Sequence, residues 1–312
     1  MKRKIVVTGA TGLIGLSISK KLIARGDEVI VFTRNPVKAK EKLPGAFDYV
    51  GWEYDKVSSQ CRESLSEADA VIHLAGESIM SSRWNDEHKK SVYDSRIIGT
   101  RNIVNAIKEN VKKPSVFICA SAIGYYDNDI NKVFNEDDKP GSGFLQQVVV
   151  DWEKEAAAVE SSGVRRVSIR IGIVLDKREG ALAQMLLPYK FFVGGPLGSG
   201  KQWLPWVHIL DISNLFIYAL DNNLAGPYNG VGGNATMDEF AETLGKVIKR
   251  PSLFRAPSFI LKIILGEAAD AVLKGSKIIP LKTLEAGFEF RYDNLETAFK
   301  EIFDYSNQET IS

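Results

Sequence analysis

The amino-acid sequence predicts an α/β fold, a doubly wound parallel sheet with a smaller carboxy-terminal lobe. Three observations support this prediction. Short apolar runs alternate with helix-period segments through residues 1–178. The first apolar run is followed by three regularly spaced glycines and an amphipathic segment. From residue 175 the rhythm breaks, and the sequence soon becomes rich in glycine and proline (VGGPLGSGKQWLPW).

The apolar runs and the helix-period segments place the elements in chain order. We expect strands at Lys4–Thr8, Glu28–Thr33, Ala70–Leu74, Ser115–Ala120 and Arg166–Val174. We expect helices at Ile14–Arg25, Asp86–Asn110, Gly143–Ser161, 236–249 and Phe259–Leu273. Thr236 is the expected N-cap of the helix over 236–249, because Glu239 follows three residues later. Residues 208–220 are expected to return to the sheet.

The glycines of IVVTGATGLIG (5–15) predict a dinucleotide site. Gly9 permits a sharp turn, Gly12 permits close approach of backbone N–H groups to a pyrophosphate, and Gly15 permits tight helix packing. The following helix presents free N–H donors and a positive dipole end. The strand before and the helix after supply the context that this motif requires. The contacting residues are expected to include Thr11, Leu13 and Ile14.

These signals divide the chain into two predicted units. Residues 1–178 are expected to form a dinucleotide-binding domain of the Rossmann type, with 205–230 returning to it. Residues 179–204 and 231–312 are expected to form a smaller lobe that closes over cofactor and substrate.

The end of the second strand indicates which nucleotide binds. An acidic residue at this position accepts hydrogen bonds from the ribose hydroxyls of NAD. Here the strand ends in Thr33 and Arg34, and Lys38 follows one helical turn later. A guanidinium matches a 2′-phosphate in charge and geometry, so Arg34 favours NADP(H). The alternative is a solvated surface arginine.

Composition excludes several classes of function. A net charge of +1 gives no reason to expect nucleic-acid or membrane binding. Cys61 and Cys119 show no disulfide or metal spacing, the three histidines are scattered, and no apolar run reaches 18 residues. We therefore predict a cytoplasmic protein without a metal site. Residues 195–201 (GPLGSGK) imitate a phosphate-binding loop, but Gln202 replaces the magnesium-ligating hydroxyl residue.

The chain resembles the extended short-chain dehydrogenase/reductase superfamily, which includes sugar-nucleotide epimerases and dehydratases. The marks are TGATGLIG (8–15), Asp69-x-x-x-His73-Leu-Ala-Gly76, Ala120-Ser121, Trp206-x-His208-x-x-Asp211 and Gly226-Pro-Tyr-Asn229. It looks most similar to a divergent epimerase-like branch with a distinctive carboxy-terminal segment. That branch is suggested by LAGESI (74–79), RW (83–84), SAIGYY (121–126), DWE (151–153), GGPLGSGKQW (194–203) and AGFEFRY (286–292).

The resemblance implies further cofactor contacts. It places Leu74, Ala75 and Gly76 along the adenosine ribose and pyrophosphate. It places Ser91 and Arg96 near the nucleotide, although Arg96 could instead be a solvated helical charge. It places Val148 beside the nicotinamide ribose. Glu77 would face substrate or be an exposed loop acid.

Catalysis in the superfamily rests on a serine and a Tyr-x-x-x-Lys pair. Ser121 matches the serine, but Phe144 and Val148 stand where the tyrosine and lysine should fall. Tyr125 or Tyr126 could supply the proton instead, or serve in packing or substrate contact. Lys201 and His208 could reach the cleft from the second lobe, although a structural role beside Asp211 suits His208 better.

Three functions remain open at this stage. The first is an NADP(H)-binding oxidoreductase that acts on an unidentified small molecule. The second is a noncatalytic NADP(H)-binding redox sensor or scaffold, and the third is a nucleotide-sugar epimerase or dehydratase. The protein is expected to be a monomer or homodimer, with the apolar stripe of residues 258–273 in the core or in a dimer face.

Overall fold

The computed structural model describes residues 2–80, 82 and 84–304, so Arg83 and residues 305–312 of the predicted lobe lie outside it. The strands are β1 (Lys4–Thr8), β2 (Glu28–Thr33), β3 (Asp48–Gly51), β4 (Ala70–His73), β5 (Val116–Ala122), β6 (Val133–Phe134), β7 (Arg165–Ile171), β8 (Ile173–Leu175), β9 (Trp203–His208), β10 (Gly226–Gly230), β11 (Gly233–Thr236) and β12 (Lys277–Ile278). The helices are α1 (Leu13–Arg25), α2 (Pro36–Lys42), α3 (Ser59–Glu67), α4 (Asp86–Glu109), α5 (Phe144–Ala157), α6 (Gly180–Lys190), α7 (Ile209–Asp221), α8 (Met237–Ile248), α9 (Ser258–Leu265), α10 (Asp270–Leu273), α11 (Leu281–Glu285) and α12 (Leu295–Phe303).

Seven strands form one parallel sheet in the order β10-β7-β5-β4-β1-β2-β3. The chain winds outward from β1 in one direction and from β4 in the other. In such a sheet the ligand crevice lies beyond the carboxyl ends of the strands, where the winding reverses. The predicted doubly wound Rossmann sheet is confirmed, and its switch point lies between β1 and β4.

Gly172 separates two strands that the sequence predicts as one. Its N–H donates to the Gly230 carbonyl at 3.0 Å, and a methyl group there would lie 3.0 Å from the Pro205 carbonyl oxygen. After this close approach the chain leaves the large sheet. Residues Ile173–Leu175 then join a three-stranded sheet in the order β11-β9-β8.

The expectation that residues 208–220 return to the sheet is wrong, because Ile209–Asp221 form helix α7. His208 caps this helix through Nδ1, which accepts the Leu210 N–H at 3.2 Å. Buried apolar residues recur every three or four positions, which is the period of a helix face: Ile209, Ile212, Leu215, Phe216 and Ala219. The return to the sheet is made later, by β10 against β7.

A second hydrophobic core lies between α6, α8, α12 and the three-stranded sheet, with Trp206, Phe240 and Phe299 fully buried. Helix α8 begins with the expected capping box of Thr236 and Glu239. The helix expected over 259–273 is divided into α9, a 3₁₀ turn at Gly266–Ala269 and α10.

The core interpretation of this apolar stripe is wrong for part of α9. The side chains of Phe259 and Ile263 are 64% and 68% exposed, and Ile260 is also exposed. The dimer face stays a prediction. Among the helices of the described residues, none combines the length and apolarity that a membrane span needs.

Candidate cofactor-binding and active site

The glycine-rich turn joins β1 to α1 at the switch point. Gly9 has a φ of +68°, and a methyl group on it would lie 2.9 Å from the Ala75 backbone nitrogen. A methyl group on Gly15 would overlap the Gly9 carbonyl oxygen. The nearest atom to a methyl group on Gly12 is that same oxygen, at 3.4 Å. Two glycines therefore allow the turn to close, whereas Gly12 leaves the approach to the turn open.

The N-terminus of α1 is free to receive an anion. Gly12 is the N-cap, so no side chain caps the helix, and the first turn contains no acidic residue. The first N–H groups of α1, from Leu13 onward, have no partner within the helix. Free donors and a positive dipole end suit a pyrophosphate. The residues of this turn thus fit the dinucleotide that the sequence predicts.

A buried hydrogen-bond network fixes the loop that faces this turn. Thr8 Oγ1 accepts the N–H groups of Leu74 and Ala75 at 3.1 Å and lies 2.8 Å from His73 Nδ1. His73 Nε2 lies 3.1 Å from Thr100 Oγ1. Burial lowers the pKa of His73 to about 4, so its imidazole is neutral at pH 7. Sequence reasoning missed this role, although a threonine ending an apolar strand was the available signal.

Arg96 supports the same loop from α4. Its Nη1 donates to the Glu77 carbonyl at 2.8 Å and to the Val92 carbonyl at 3.1 Å. The guanidinium carbon lies 5.2 Å from the Trp152 ring, and a methyl group on Gly76 would come within 3.2 Å of it. Burial lowers the pKa of Arg96 to about 10. The solvated-charge interpretation of Arg96 is therefore wrong, while its contact with a phosphate stays a prediction, as does that of half-buried Ser91.

Arg34 lies exposed at the end of β2, directly after Thr33. Within residues 2–80, 82 and 84–304, its guanidinium has no hydrogen bond or ion pair. The following Asn35 caps α2 by accepting the Lys38 N–H at 3.0 Å. The first turn of α2 contains no acidic residue. This corner of the crevice is therefore basic, and its guanidinium is free of partners among the described residues.

Ser121 lies at the carboxyl end of β5, but its hydroxyl is engaged. Oγ donates to Glu153 Oε1 at 2.6 Å. The Glu153 carboxylate also accepts two hydrogen bonds from Arg170, at 2.8 and 2.9 Å. Ser121 and Arg170 are 3% and 2% exposed. The serine proton thus points into a buried ion pair, which argues against Ser121 as a proton donor to substrate.

The two tyrosines after Ser121 have different surroundings. The Tyr126 hydroxyl donates to Asn229 Oδ1 at 2.8 Å and accepts from Arg170 Nη1 at 2.9 Å. Burial raises the pKa of Tyr126 to about 12, so this residue fits a structural role. The Tyr125 ring packs on the Arg170 guanidinium at 3.4 Å and is half-buried. Across the described ranges, no residue hydrogen-bonds its hydroxyl, which keeps Tyr125 as the candidate proton donor.

Helix α5 carries the two residues that replace the tyrosine and lysine of the superfamily's Tyr-x-x-x-Lys pair. Phe144 begins the helix half-buried, and the Trp84 ring meets it edge-on at 5.7 Å. Val148 is 3% exposed one turn later. An apolar surface therefore replaces the expected hydroxyl and ammonium, and the contact of Val148 with a nicotinamide ribose stays a prediction.

His208 is held in the lobe as a structural residue. It is fully buried, and its ring lies 4.1 Å from that of Tyr292. Nε2 lies 2.8 Å from Glu301 Oε2 without hydrogen-bond alignment, and burial lowers the pKa of His208 to about 4. Asp211 does not pair with it, because its carboxylate accepts the N–H groups of Arg291 and Tyr292.

The loop that imitates a phosphate-binding motif uses its glycines for packing. A methyl group on Gly195 would overlap the Phe254 carbonyl, and one on Gly200 would overlap the Asp238 carboxylate. The side chain of Lys201 is exposed. The described residues contain no cluster of three or more histidine, cysteine or carboxylate ligands for a metal.

Comparison with known proteins identifies the family of this chain. Residues 5–231 match the model of the NAD dependent epimerase/dehydratase family. The chain belongs to that family. Residues 256–302 also match a domain of unknown function, DUF1731, which accounts for the distinctive carboxy-terminal segment of this family member.

The similarity to known relatives extends over nearly the whole chain. The chain is 39% identical to the chloroplastic "Epimerase family protein SDR39U1 homolog" of Arabidopsis thaliana, over 96% of this chain and 86% of that protein. It is 35% identical to the epimerase family protein YfhF of Bacillus subtilis, over 96% and 97%.

A solved structure of human epimerase family protein SDR39U1 (isoform 2) with NADPH is also similar. It superimposes with a TM-score of 0.85 at 32% identity, covering 97% of this chain and 99% of that one. A Bacillus cereus UDP-glucuronic acid 4-epimerase, at 18% identity and a TM-score of 0.78, shares the fold.

Proposed function

We propose that this chain is an NADP(H)-dependent oxidoreductase that acts on a small molecule in the crevice between sheet and lobe. The observation that carries the proposal is the open, uncapped glycine turn at the switch point. Free donors at the N-terminus of α1 would hold the pyrophosphate, and Arg34, which pairs with none of the described residues, would receive a 2′-phosphate. The human relative solved with NADPH supports the choice of NADP(H).

The bound nicotinamide would supply hydride transfer. The residues of the chain would orient substrate and move the accompanying proton. Tyr125 is the side chain best suited to donate that proton, because no described residue hydrogen-bonds its hydroxyl and its ring packs on Arg170. Phe144 and Val148 would form an apolar wall that limits water near the reacting carbon.

A noncatalytic NADP(H) sensor or scaffold is the second candidate. The observation that favours it is the engagement of Ser121 by Glu153, which leaves Tyr125 as the remaining candidate proton donor at the end of β5. A nucleotide-sugar epimerase or dehydratase is compatible with the family, but its usual tyrosine and lysine are replaced by Phe144 and Val148.

Calorimetry and a turnover screen test the proposal together. The purified protein should bind NADPH and oxidise it with some member of a panel of aldehydes, ketones, quinones and enones. Tyr125→Phe should lower kcat by about 10²-fold or more, because a positioned acid contributes 10²–10⁴-fold. Tyr126→Phe, the matched control, should chiefly lower stability. Binding of NADPH without turnover across the panel would support the sensor, and absence of NADPH binding would contradict both.

The proposal also covers the oligomeric state and the cellular location of the protein. We infer a cytoplasmic monomer or homodimer, with the exposed apolar face of α9 as the candidate dimer contact. Sedimentation of the native protein and of Ile263→Glu would distinguish the two states, because a charge in a dimer face should yield monomer.

A further inference from the structure

The first turn of α4 carries a lysine beside the position of the missing tyrosine. Helices α4 and α5 follow β4 and β5 in the chain, so both begin at the carboxyl edge of the sheet, where the crevice lies. Lys89 Nζ lies 5.8 Å from the ring centroid of Phe144. The Trp84 ring contacts the same phenylalanine. An ammonium group therefore faces an apolar, aromatic wall of the candidate active site.

The partner of Lys89 comes from the lobe. Lys89 forms an ion pair with Glu267 of the 3₁₀ turn Gly266–Ala269, which lies 178 residues away in the chain. The lysine side chain is 22% exposed, whereas the glutamate side chain is 69% exposed. A pair with one solvated partner is held weakly, because water competes for the carboxylate. A dissolved anion can therefore displace Glu267 without leaving a carboxylate buried and unpaired.

The neighbouring lysine shows that this arrangement is specific. Lys90 is 74% exposed and pairs with Asp94 within the same helix. Such an (i, i+4) pair is an ordinary feature of a helix surface. Lys89 differs from it in burial, in its aromatic neighbour and in having a partner 178 residues away in the chain.

We propose that Lys89 binds an anionic group of the substrate, a carboxylate or a phosphate, and that Glu267 holds this place until substrate arrives. The inference rests on the proposed function, because it takes the crevice to be the substrate site. It restricts the substrate class to small carbonyl or conjugated compounds that bear an anionic group. Phe144 and Trp84 would contact the apolar part of such a molecule.

Anion binding to the NADPH-saturated protein tests the proposal without turnover. Saturation with NADPH occupies the glycine turn, so inorganic phosphate and acetate, titrated at constant ionic strength, report on other sites. Lys89→Gln should weaken binding of the preferred anion about tenfold, as expected for loss of a charged hydrogen bond. Lys90→Gln, the matched control, should leave it unchanged. Glu267→Gln should tighten it by about threefold, because a weak competitor is removed.

The outcomes separate this inference from the proposed function. NADPH affinity should be the same in Lys89→Gln and in the unmodified protein, so a failure to bind NADPH concerns only the proposed function. In turnover, 4-carboxybenzaldehyde should be preferred to its methyl ester, and Lys89→Gln should remove the preference. Equal anion affinity in Lys89→Gln and the unmodified protein, or no binding of either anion to the unmodified protein, would overturn the role of Lys89.

Discussion

The two halves of the crevice are built by different means. On the β1–β4 side, the groups that face a ligand are backbone N–H donors, and glycines keep side chains away from them. On the β5–α5 side, the polar groups are side chains, and those of Ser121, Glu153, Arg170 and Tyr126 bond to one another. The first half is open to a ligand, whereas the second is largely closed on itself.

This difference shows why binding and chemistry separate in this chain. A backbone anion site requires only that a few positions lack side chains, so many sequences can preserve it. Proton transfer requires a particular functional group at a particular place. Phe144 and Val148 remove those groups while the glycine turn stays intact.

The largest effect is expected from breaking the buried ion pair between Glu153 and Arg170, on the β5–α5 side of the crevice. Glu153→Gln removes the carboxylate charge and leaves Arg170 buried without a counter-charge. We expect the free energy of unfolding to fall by roughly 3–5 kcal/mol, measured by urea denaturation. Glu155→Gln, on the same helix, removes the exposed pair with Arg101 and should cost less than about 1 kcal/mol. Equal losses of unfolding free energy in the two variants would show that the Glu153–Arg170 pair does not stabilise the fold as a buried ion pair. The NADPH affinity of either folded variant should be unchanged.

Acidification should lower the stability of the fold through His73, on the β1–β4 side of the crevice. Its pKa is about 4 in the folded chain, against an ordinary value of 6.5. Between these values the unfolded chain binds more protons, so stability is fully present above pH 6.5 and falls as pH decreases toward 4. The loss should approach about 3 kcal/mol for His73.

Urea denaturation at several pH values measures this dependence. His73→Asn should give a shallower loss between pH 6.5 and 4, although His208 contributes with the same sign. An unchanged slope in His73→Asn would show that the histidine is not held neutral.

A methyl group in the glycine turn should close the β1–β4 side of the crevice to the nucleotide. Gly15→Ala overlaps the Gly9 carbonyl, so we expect NADPH binding to weaken about 100-fold, or by roughly 3 kcal/mol. Gly26→Ala is the matched control, because it strains a residue at φ +91° with no atom within 4 Å. It should cost about 1 kcal/mol of stability and leave NADPH affinity intact. Calorimetry decides, and tight binding by Gly15→Ala would refute the turn as the pyrophosphate site.

The smallest expected effect concerns the choice of nucleotide. Arg34→Ala should weaken NADPH about tenfold, or by roughly 1.4 kcal/mol, and leave NADH unchanged. Lys38→Ala, one turn away, should change either affinity by no more than about twofold. The Arg34 argument fails if the unmodified protein binds NADPH and NADH equally.

The sequence predicted local structure well where the signal is local. The glycine turn, five of the seven strands of the large sheet and the α8 capping box depend on residues within a few positions of one another, whereas β3 and β10 were not predicted as strands. The errors arose where a local signal was ambiguous. Residues 208–220 are expected in the sheet, yet Ile209–Asp221 carry an apolar helix period and form a helix; the strand expected over 166–174 is divided by Gly172.

The chain by itself thus determined a parallel Rossmann sheet, because apolar runs alternate with helix-period segments. It also determined a glycine turn fit for a dinucleotide, because the spacing of the glycines and the absence of side chains suffice for that turn. Only the tertiary structure decided which side chains are free. It joined Ser121 to Glu153, Glu153 to Arg170 and Thr8 to His73, and it brought Lys89 to Glu267. These partners lie from 17 to 178 residues apart, so no local pattern records them. Burial and pairing, which determine the chemistry of a side chain, are properties of the folded chain.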